Sequence, residues 1–349
     1  MKFIGTLNYL VKKLLKMLVT VLVVATIIFF LIRLMPSNPV QRYIEEQMTQ
    51  YGLTYEDAKN RAAFLFSMDL DKSVFQQYLD YIGKVAQLDF GNSLLSPGVP
   101  VIKIISARLP WTLFTVGTGL VLSFIIGVII GALMAFKRDK WYEPIVTGFA
   151  SFLSAIPDFL IAIFLLLFFG VVKWNGNNTI LNIGMLRGTY SMNVIPGWNF
   201  EFIKDIFLHG SVPILTYMLS QLGIWILLMK GATTSTLNAD YVTAAKIRGI
   251  HPLKVLSAYI ARNAMLPIVT EFAMRLGFVV GGALIIEQLF VYQGIGLELL
   301  RATSGRDYPL MQGVFLVMSI TIVVSNFLAE VMYVVLDPRI KTQEEQTNR

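Results

Sequence analysis

The feature that most constrains this chain is the recurrence of apolar stretches, nearly free of charge, about as long as a bilayer is thick. They fall at residues 14–34, 109–136, 144–172, 211–229, 266–286 and 308–336. A hydrocarbon core of ~30 Å needs roughly 20 residues of helix at about 1.5 Å rise per residue, which is the length of these runs. Hydrophobic residues make up 55% of the chain and charged residues only 15%, more apolar surface than a soluble core of this size can bury. The pattern predicts an all-α, polytopic integral membrane protein with six transmembrane helices. The first run follows Lys12, Lys13 and Lys16, as a signal peptide would. Its apolar part is longer than a signal's, and no A-x-A-like cleavage site follows closely, so a retained first helix is expected.

Between the spans, the segments at 137–143 and 230–262 are short and basic, as is the N-terminal lead. Lys and Arg near spans mark the cytoplasmic side, which puts these loops and both termini, including the tail at 337–349, in the cytoplasm. Residues 36–105, with Glu45, Glu46, Glu56, Asp57, Lys59 and Arg61, are too long for a plain connection. They are expected to form a small helical extracytoplasmic insertion. The polar stretch at 173–209 also lies outside, and residues 106–336 form a five-helix core. The net charge of +7 is spread along the chain without a basic stripe or stacking aromatics, so nucleic acid is not a partner. With no cysteine there is no disulfide framework and no thiolate chemistry.

The 230–262 segment carries the most specific pattern. It contains Asp240-Tyr241-Val-Thr243-Ala244-Ala245, then Gly249 and Pro252, and runs on to Arg262-Asn263-Ala264-Met-Leu-Pro267. This reads as helix, break, helix. Asn238 or Asp240 can cap the first helix, Ala244 and Ala245 allow close approach, Gly249 supplies a left-handed stop, and Pro252 suits the next first turn. The arrangement resembles the cytoplasmic EAA coupling loop of ABC importer membrane subunits, in the form found in oligopeptide and dipeptide permeases. Thr243 stands where that motif has Glu.

Further segments resemble the same family in the same order: Arg33-Leu-Met-Pro36-Ser-Asn-Pro39, Leu88-Asp-Phe-Gly91-Asn-Ser, Arg108-Leu-Pro110-Trp-Thr112 and Ile156-Pro157-Asp158-Phe159. Later come Glu287-Gln-Leu-Phe290-Val-Tyr-Gln-Gly294-Ile-Gly296, Arg306-Asp307-Tyr308-Pro309 and Leu336-Asp337-Pro338-Arg339. Ser37 replaces a Gly of the family pattern and Gln293 a Pro. An ordinary amphipathic interfacial helix would share the break in the 230–262 segment but none of these other matches.

The resemblance implies a type I ABC importer-like fold and a chain that is half of an oligopeptide pathway. It implies as partners a second homologous permease subunit, two ATPase subunits and an extracytoplasmic substrate-binding protein. No G-x-x-x-x-G-K-[ST] segment occurs, so ATP and Mg belong to the partners, and this chain is expected to be non-catalytic with no cofactor of its own. The implied coupling residues are Asp240, Tyr241, Thr243, Ala244, Ala245, Gly249, Pro252, Asn263 and Pro267.

Charges inside spans are costly and mark functional candidates. Glu271 and Arg275, four apart on one helical face, lend themselves to mutual neutralisation or to lining the pathway and meeting peptide termini. Asp158, after Pro157, can satisfy freed backbone amides or face the same pathway. Glu287 and Glu330, near span ends, are expected to reach water or a partner subunit. Gly127-x-x-x-Gly131 and Gly277-x-x-x-Gly281 read as helix-packing patterns. His209 and His251 fall in different loops on opposite sides, so they cannot share a metal. An ion-coupled secondary transporter would show repeated halves, which are missing. An intramembrane enzyme would need converging catalytic side chains, which the scattered acids do not supply. Oligosaccharide and nickel are the alternative substrates within the importer family.

Overall fold

The computed structural model describes residues 2–34, 39–66, 72–137, 140–174, 178–179, 181–182, 186–279, 281 and 284–336. Two family-like segments lie partly outside them, at Met35–Asn38 and from Asp337 onward, and the expected tail at 337–349 lies wholly outside.

Helix α1 (Lys2–Leu34) is followed by α2 (Pro39–Tyr51), α3 (Tyr55–Leu65) and α4 (Val74–Ala86), the helical insertion that the sequence predicts. The insertion helices start where capping side chains put them. Thr54 accepts from the amide of Asp57 at 3.2 Å, and Ser73 with Gln76 forms a capping box. Then come α5 (Val101–Phe136), α6 (Glu143–Ala155), α7 (Asp158–Val171) and a two-stranded hairpin of β1 (Lys173–Trp174) and β2 (Asn178–Thr179). The remainder is α8 (Phe200–Leu237), α9 (Asp240–Ile247), a helical turn α10 (Pro252–Lys254), a π-helical segment at Val255–Ala261, α11 (Arg262–Phe278), α12 (Leu284–Leu289), α13 (Ile295–Ser304) and α14 (Tyr308–Leu336).

Among the described residues, α1, α5, α8 and α14 are each long and apolar enough to cross a membrane. The third expected span is broken. α6 and α7 meet at 104°, because Pro157 offers no amide to continue the helix and forces Ile156 into an extended conformation at ψ 128°. The fifth expected span falls on α11, whose 17 residues continue without interruption from the π-helical segment and end near Val279, short of the predicted 286.

α8 is longer than the predicted span at both ends. Asn199 caps it by accepting from the amide of Phe202 at 2.7 Å, so the helix begins at Phe200. His209, expected in a loop, is therefore a helical residue, 4% exposed. At the far end the helix runs on to Leu237, with Thr234, Ser235 and Thr236 turning their hydroxyls back to carbonyls of Lys230 and Ala232.

Two compact units emerge. One comprises Met1–Thr112, Val280–Leu284 and Gln293–Phe327. Its core joins Val101 and Ile105 of α5 to Ile295, Leu299 and Ala302 of α13 and Leu310 and Val314 of α14. The insertion adds a smaller cluster of Ile44, Ala58 and Ala62, and α4 meets α1 where Tyr78 and Tyr81 pack on Phe29.

The other unit comprises Leu113–Val279, Ile285–Tyr292 and Leu328–Arg349, with Ala150, Leu153, Leu222 and Ile226 at the α6–α8 contact. Glycines set the helix spacing here. A Cβ on Gly127 would sit 2.4 Å from the Cβ of Trp225, and one on Gly131 would sit 2.5 Å from the carbonyl oxygen of Ile226. The first glycine pair is a packing face, as its spacing suggests.

Candidate functional site

α9 is a short helix held by its two ends. Neither expected cap forms: Ala239 occupies the N-cap, Asp240 is the first helical residue, and Asn238 ends α8. Asp240 still places a negative charge in the first turn, where the helix dipole favours it. The stop is as expected. Gly249 sits at φ +70°, its amide donates to the carbonyl of Lys246 at 3.0 Å, and the amide of Ile250 donates to that of Ala245 at 3.3 Å. This pair of bonds is a Schellman motif, which requires the left-handed residue. Pro252 opens the next helical turn directly after it.

The inner face of α9 consists of Val242 and Ala245, which are buried where α9 packs against the π-helical segment with its buried Val255, Leu256 and Ile260. Ala245 makes the close approach that its size allows; Ala244 points outward instead, as does Thr243. Ile247 at 82% and Leu253 at 62% exposure flank the turn, with Lys246, Arg248 and Lys254 also exposed around it. Asn263 ties the segment to α11. Its Nδ2 donates to the Tyr241 hydroxyl at 2.8 Å and to the Tyr259 carbonyl at 3.2 Å. Pro267, inside α11, offers no amide to the Asn263 carbonyl one turn back, and the π-helical register just before α11 is a second departure from regular hydrogen bonding.

A polar cluster lies further along α11. Arg275 donates through Nε to Glu271 Oε1 at 2.8 Å and through Nη1 to Gln221 Oε1 on α8 at 2.6 Å. Its guanidinium also stands 5.5 Å from the ring centroid of Trp225, itself packed by Phe124 and Phe272. The structure thus forms the expected Glu271–Arg275 pair and adds Gln221 and Trp225, which sequence reading did not single out. Their spacing of four on one uncharged span was the available signal. Asp158 is the first residue of α7, at the break after Pro157, and among the described residues no hydrogen bond or ion pair joins it to this cluster. Glu287 departs from expectation: it is 2% exposed on α12 and does not reach water.

Segments that were far apart in sequence meet in pairs. The buried carboxylate of Asp307 accepts from the Ser93 hydroxyl at 2.5 Å and from the amides of Leu95 and Leu310, each at 3.1 Å. Arg108 donates to Glu298 at 3.2 Å and to Gln293 at 2.6 Å, while Thr112 accepts from the amide of Ile295 at 2.9 Å. Gln293, where the family pattern has Pro, is thereby the partner of a neighbouring motif's arginine. Lys230 near the end of α8 binds Glu143 and Thr147 of α6, another contact that sequence reading missed. Among the described residues no three His, Cys, Asp or Glu converge as metal ligands.

Apolar spans, charges gathered on helix faces and a short helix projected between two spans define a membrane-embedded transport subunit. Residues 127–342 match the family described as binding-protein-dependent transport system inner membrane component. A Brucella suis (biovar 1, strain 1330) chain provisionally named a peptide permease is 32% identical over 338 residues, covering 96% of this chain and 99% of that one. The oligopeptide transport system permease protein AppB of Bacillus subtilis (strain 168) is 27% identical over 337 residues, 95% of this chain and 99% of its own length. The glutathione transport system permease protein GsiC of Salmonella choleraesuis (strain SC-B67) is 27% identical over 335 residues, 96% of this chain and 99% of its own. The chain belongs to the family of binding-protein-dependent transport system inner membrane components and is the permease subunit of an ABC importer.

Proposed function

We propose that this subunit forms half of an ATP-driven pathway for oligopeptides and is coupled to a separate ATPase through the segment at 230–262. The observation that carries the coupling role is the geometry of α9. It is a helix stopped by a Schellman turn at Gly249, with Ile247 and Leu253 exposed beside three cations and its root tied to α11 through Tyr241 and Asn263. An exposed short helix with apolar anchors suits a groove on a partner. Asp240, Thr243, Ala244, Ala245, Pro252 and Pro267 act in shaping and presenting it.

In this reading two ATPase subunits hold ATP and Mg, a second homologous permease completes the pathway, and an extracytoplasmic binding protein delivers substrate. Both termini and the 230–262 segment are cytoplasmic, and the insertion at 36–105 is extracytoplasmic. The core at 106–336 surrounds the pathway, and this chain carries out no chemistry itself. The names of the Brucella, Bacillus and Salmonella relatives support a peptide substrate.

Cells with and without this chain are to be compared for uptake of labelled peptides, oligosaccharides and nickel, with co-purification of the ATPase as a second readout. Peptide uptake is expected to fall and the ATPase to co-purify. Unchanged peptide uptake beside a loss of sugar or nickel uptake would overturn the substrate, and no ATPase under any nucleotide condition would overturn the coupling role.

A further inference from the structure

The Glu271–Arg275 pair is formed, yet it is not closed off. Glu271 and Arg275 retain 32% and 29% side-chain exposure. The Arg275 Nη2 group, the second carboxylate oxygen of Glu271 and the Gln221 Nε2 group have no hydrogen-bond partner among the described residues. The contact with Gln221 and Trp225 sets Arg275 level with the middle of α8, inside the apolar run of that helix. At such a depth an exposed ion pair cannot face lipid, because charged side chains within a bilayer turn toward a protein interior or a water-filled passage. The cluster is also rigid: one guanidinium is fixed by a carboxylate, a carboxamide and an indole face, and Trp225 is fully buried.

What this patch offers a passing molecule is a donor edge beside an acceptor, with no net charge. A lone anion would meet the Glu271 carboxylate together with the Arg275 cation, and a lone cation would meet the reverse. A group that accepts and donates at neighbouring atoms, while remaining neutral, matches both. The peptide bond is such a group: its carbonyl accepts and its N–H donates. Resting on the peptide-importer reading, we propose that Arg275, Glu271 and Gln221 form a pathway station for the substrate's main chain. Arg275 or Gln221 donates to a peptide carbonyl and Glu271 accepts from a peptide N–H. Such a station is indifferent to side chains, so it passes many sequences while holding an extended backbone in register.

The test uses the assembled transporter in proteoliposomes with its binding protein at saturation. The probes are labelled tetra-alanine and the same peptide with its internal amides N-methylated, which removes the donors and keeps the carbonyls. Since the binding protein is common to every preparation, any change in the ratio of the two uptake rates belongs to the permease. Glu271→Gln is expected to slow tetra-alanine uptake about ten-fold, the scale of one lost hydrogen bond to a charged group, and to slow the methylated probe, which has no amide hydrogen to offer Glu271, less than about two-fold. Glu271→Asp, which keeps the charge but draws the acceptor back by one methylene, is expected to shift the ratio in the same direction by about three-fold and decides the matter if Glu271→Gln does not assemble, whereas Arg275→Lys faces carbonyls that both probes keep and should slow both alike.

Equal slowing of both probes by the Glu271 variants would overturn the proposal in favour of a purely structural pair. Loss of the second permease on co-purification of either Glu271 variant, with the ratio unmoved, would assign the patch to a subunit interface instead. Absence of peptide uptake by the unaltered transporter is a separate result and would remove the peptide-importer reading itself.

Discussion

Replacing Gly249 isolates a backbone effect. The residue sits at φ +70°, and a Cβ built there meets no heavy atom within 4 Å, so a substitution creates no clash with neighbours. The whole cost is the residue's own conformational penalty, about 1–2 kcal/mol for an L-residue in the left-handed region and higher for a β-branched one. At about 1.4 kcal/mol per factor of ten, Gly249→Ala should disfavour the stopped turn by about ten-fold, and Gly249→Val by more. Relaxing that turn breaks the bonds from Gly249 to Lys246 and from Ile250 to Ala245, which frees α9 to rotate away from the direction in which it is presented. Gly249→Asn is the control, since Asn tolerates the left-handed region. In reconstituted complexes, Gly249→Val is expected to insert normally and to retain ATP hydrolysis while peptide uptake per ATP falls, with Asn close to the original. Uptake by the Val variant equal to the original, or an Asn variant as impaired as Val, would refute the reasoning.

At Gly223 a Cβ would lie 2.2 Å from the Ala150 carbonyl oxygen, so Gly223→Val is expected to cost about 1–3 kcal/mol in thermal unfolding in detergent. Gly148→Ala on the facing helix, where nothing lies within 4 Å, should not destabilise. Lys230→Met leaves the Glu143 carboxylate with Thr147 as its remaining side-chain partner and should lower the unfolding temperature, whereas Lys230→Met/Glu143→Leu should recover most of that loss in the same assay. Asp307→Ala removes the acceptor shared by Ser93, Leu95 and Leu310 and should lower stability by about 1–3 kcal/mol. Hydrogen exchange at the amides of Leu95 and Leu310 should accelerate with it.

Much of the candidate site could be read from the chain because its signals are local. Gly249 must be glycine for a left-handed stop, Pro252 suits a first turn, and Glu271 and Arg275 pair at a spacing that any helix would bring together. Nothing local could show that the Asn263 carboxamide reaches the Tyr241 hydroxyl, since that contact depends on how α9 folds back against the π-helical segment. The caps differ from the local expectation for the converse reason. Asn238 and Asp240 both favour helix starts, but α8 runs on to Leu237, where Lys230 on its last turns is anchored to α6, and Ala239 takes the cap position of α9. The 104° bend was signalled by Pro157, but only the structure turned one long apolar run into two short helices.

The sequence by itself determined that this chain is helical, embedded in a membrane and a member of the importer family, because bilayer thickness fixes span length and the motif residues appear in order. The tertiary structure decided why those motifs occur together. Ser93 needs Asp307, Arg108 needs Glu298 and Gln293, and Thr112 needs the Ile295 amide, each pair separated by more than 180 residues. It also decided that Arg275 is held by Gln221 and Trp225 of another helix. Hydrogen bonds act over about 3 Å of space whatever the separation along the chain, so their partners become known only once the helices are packed.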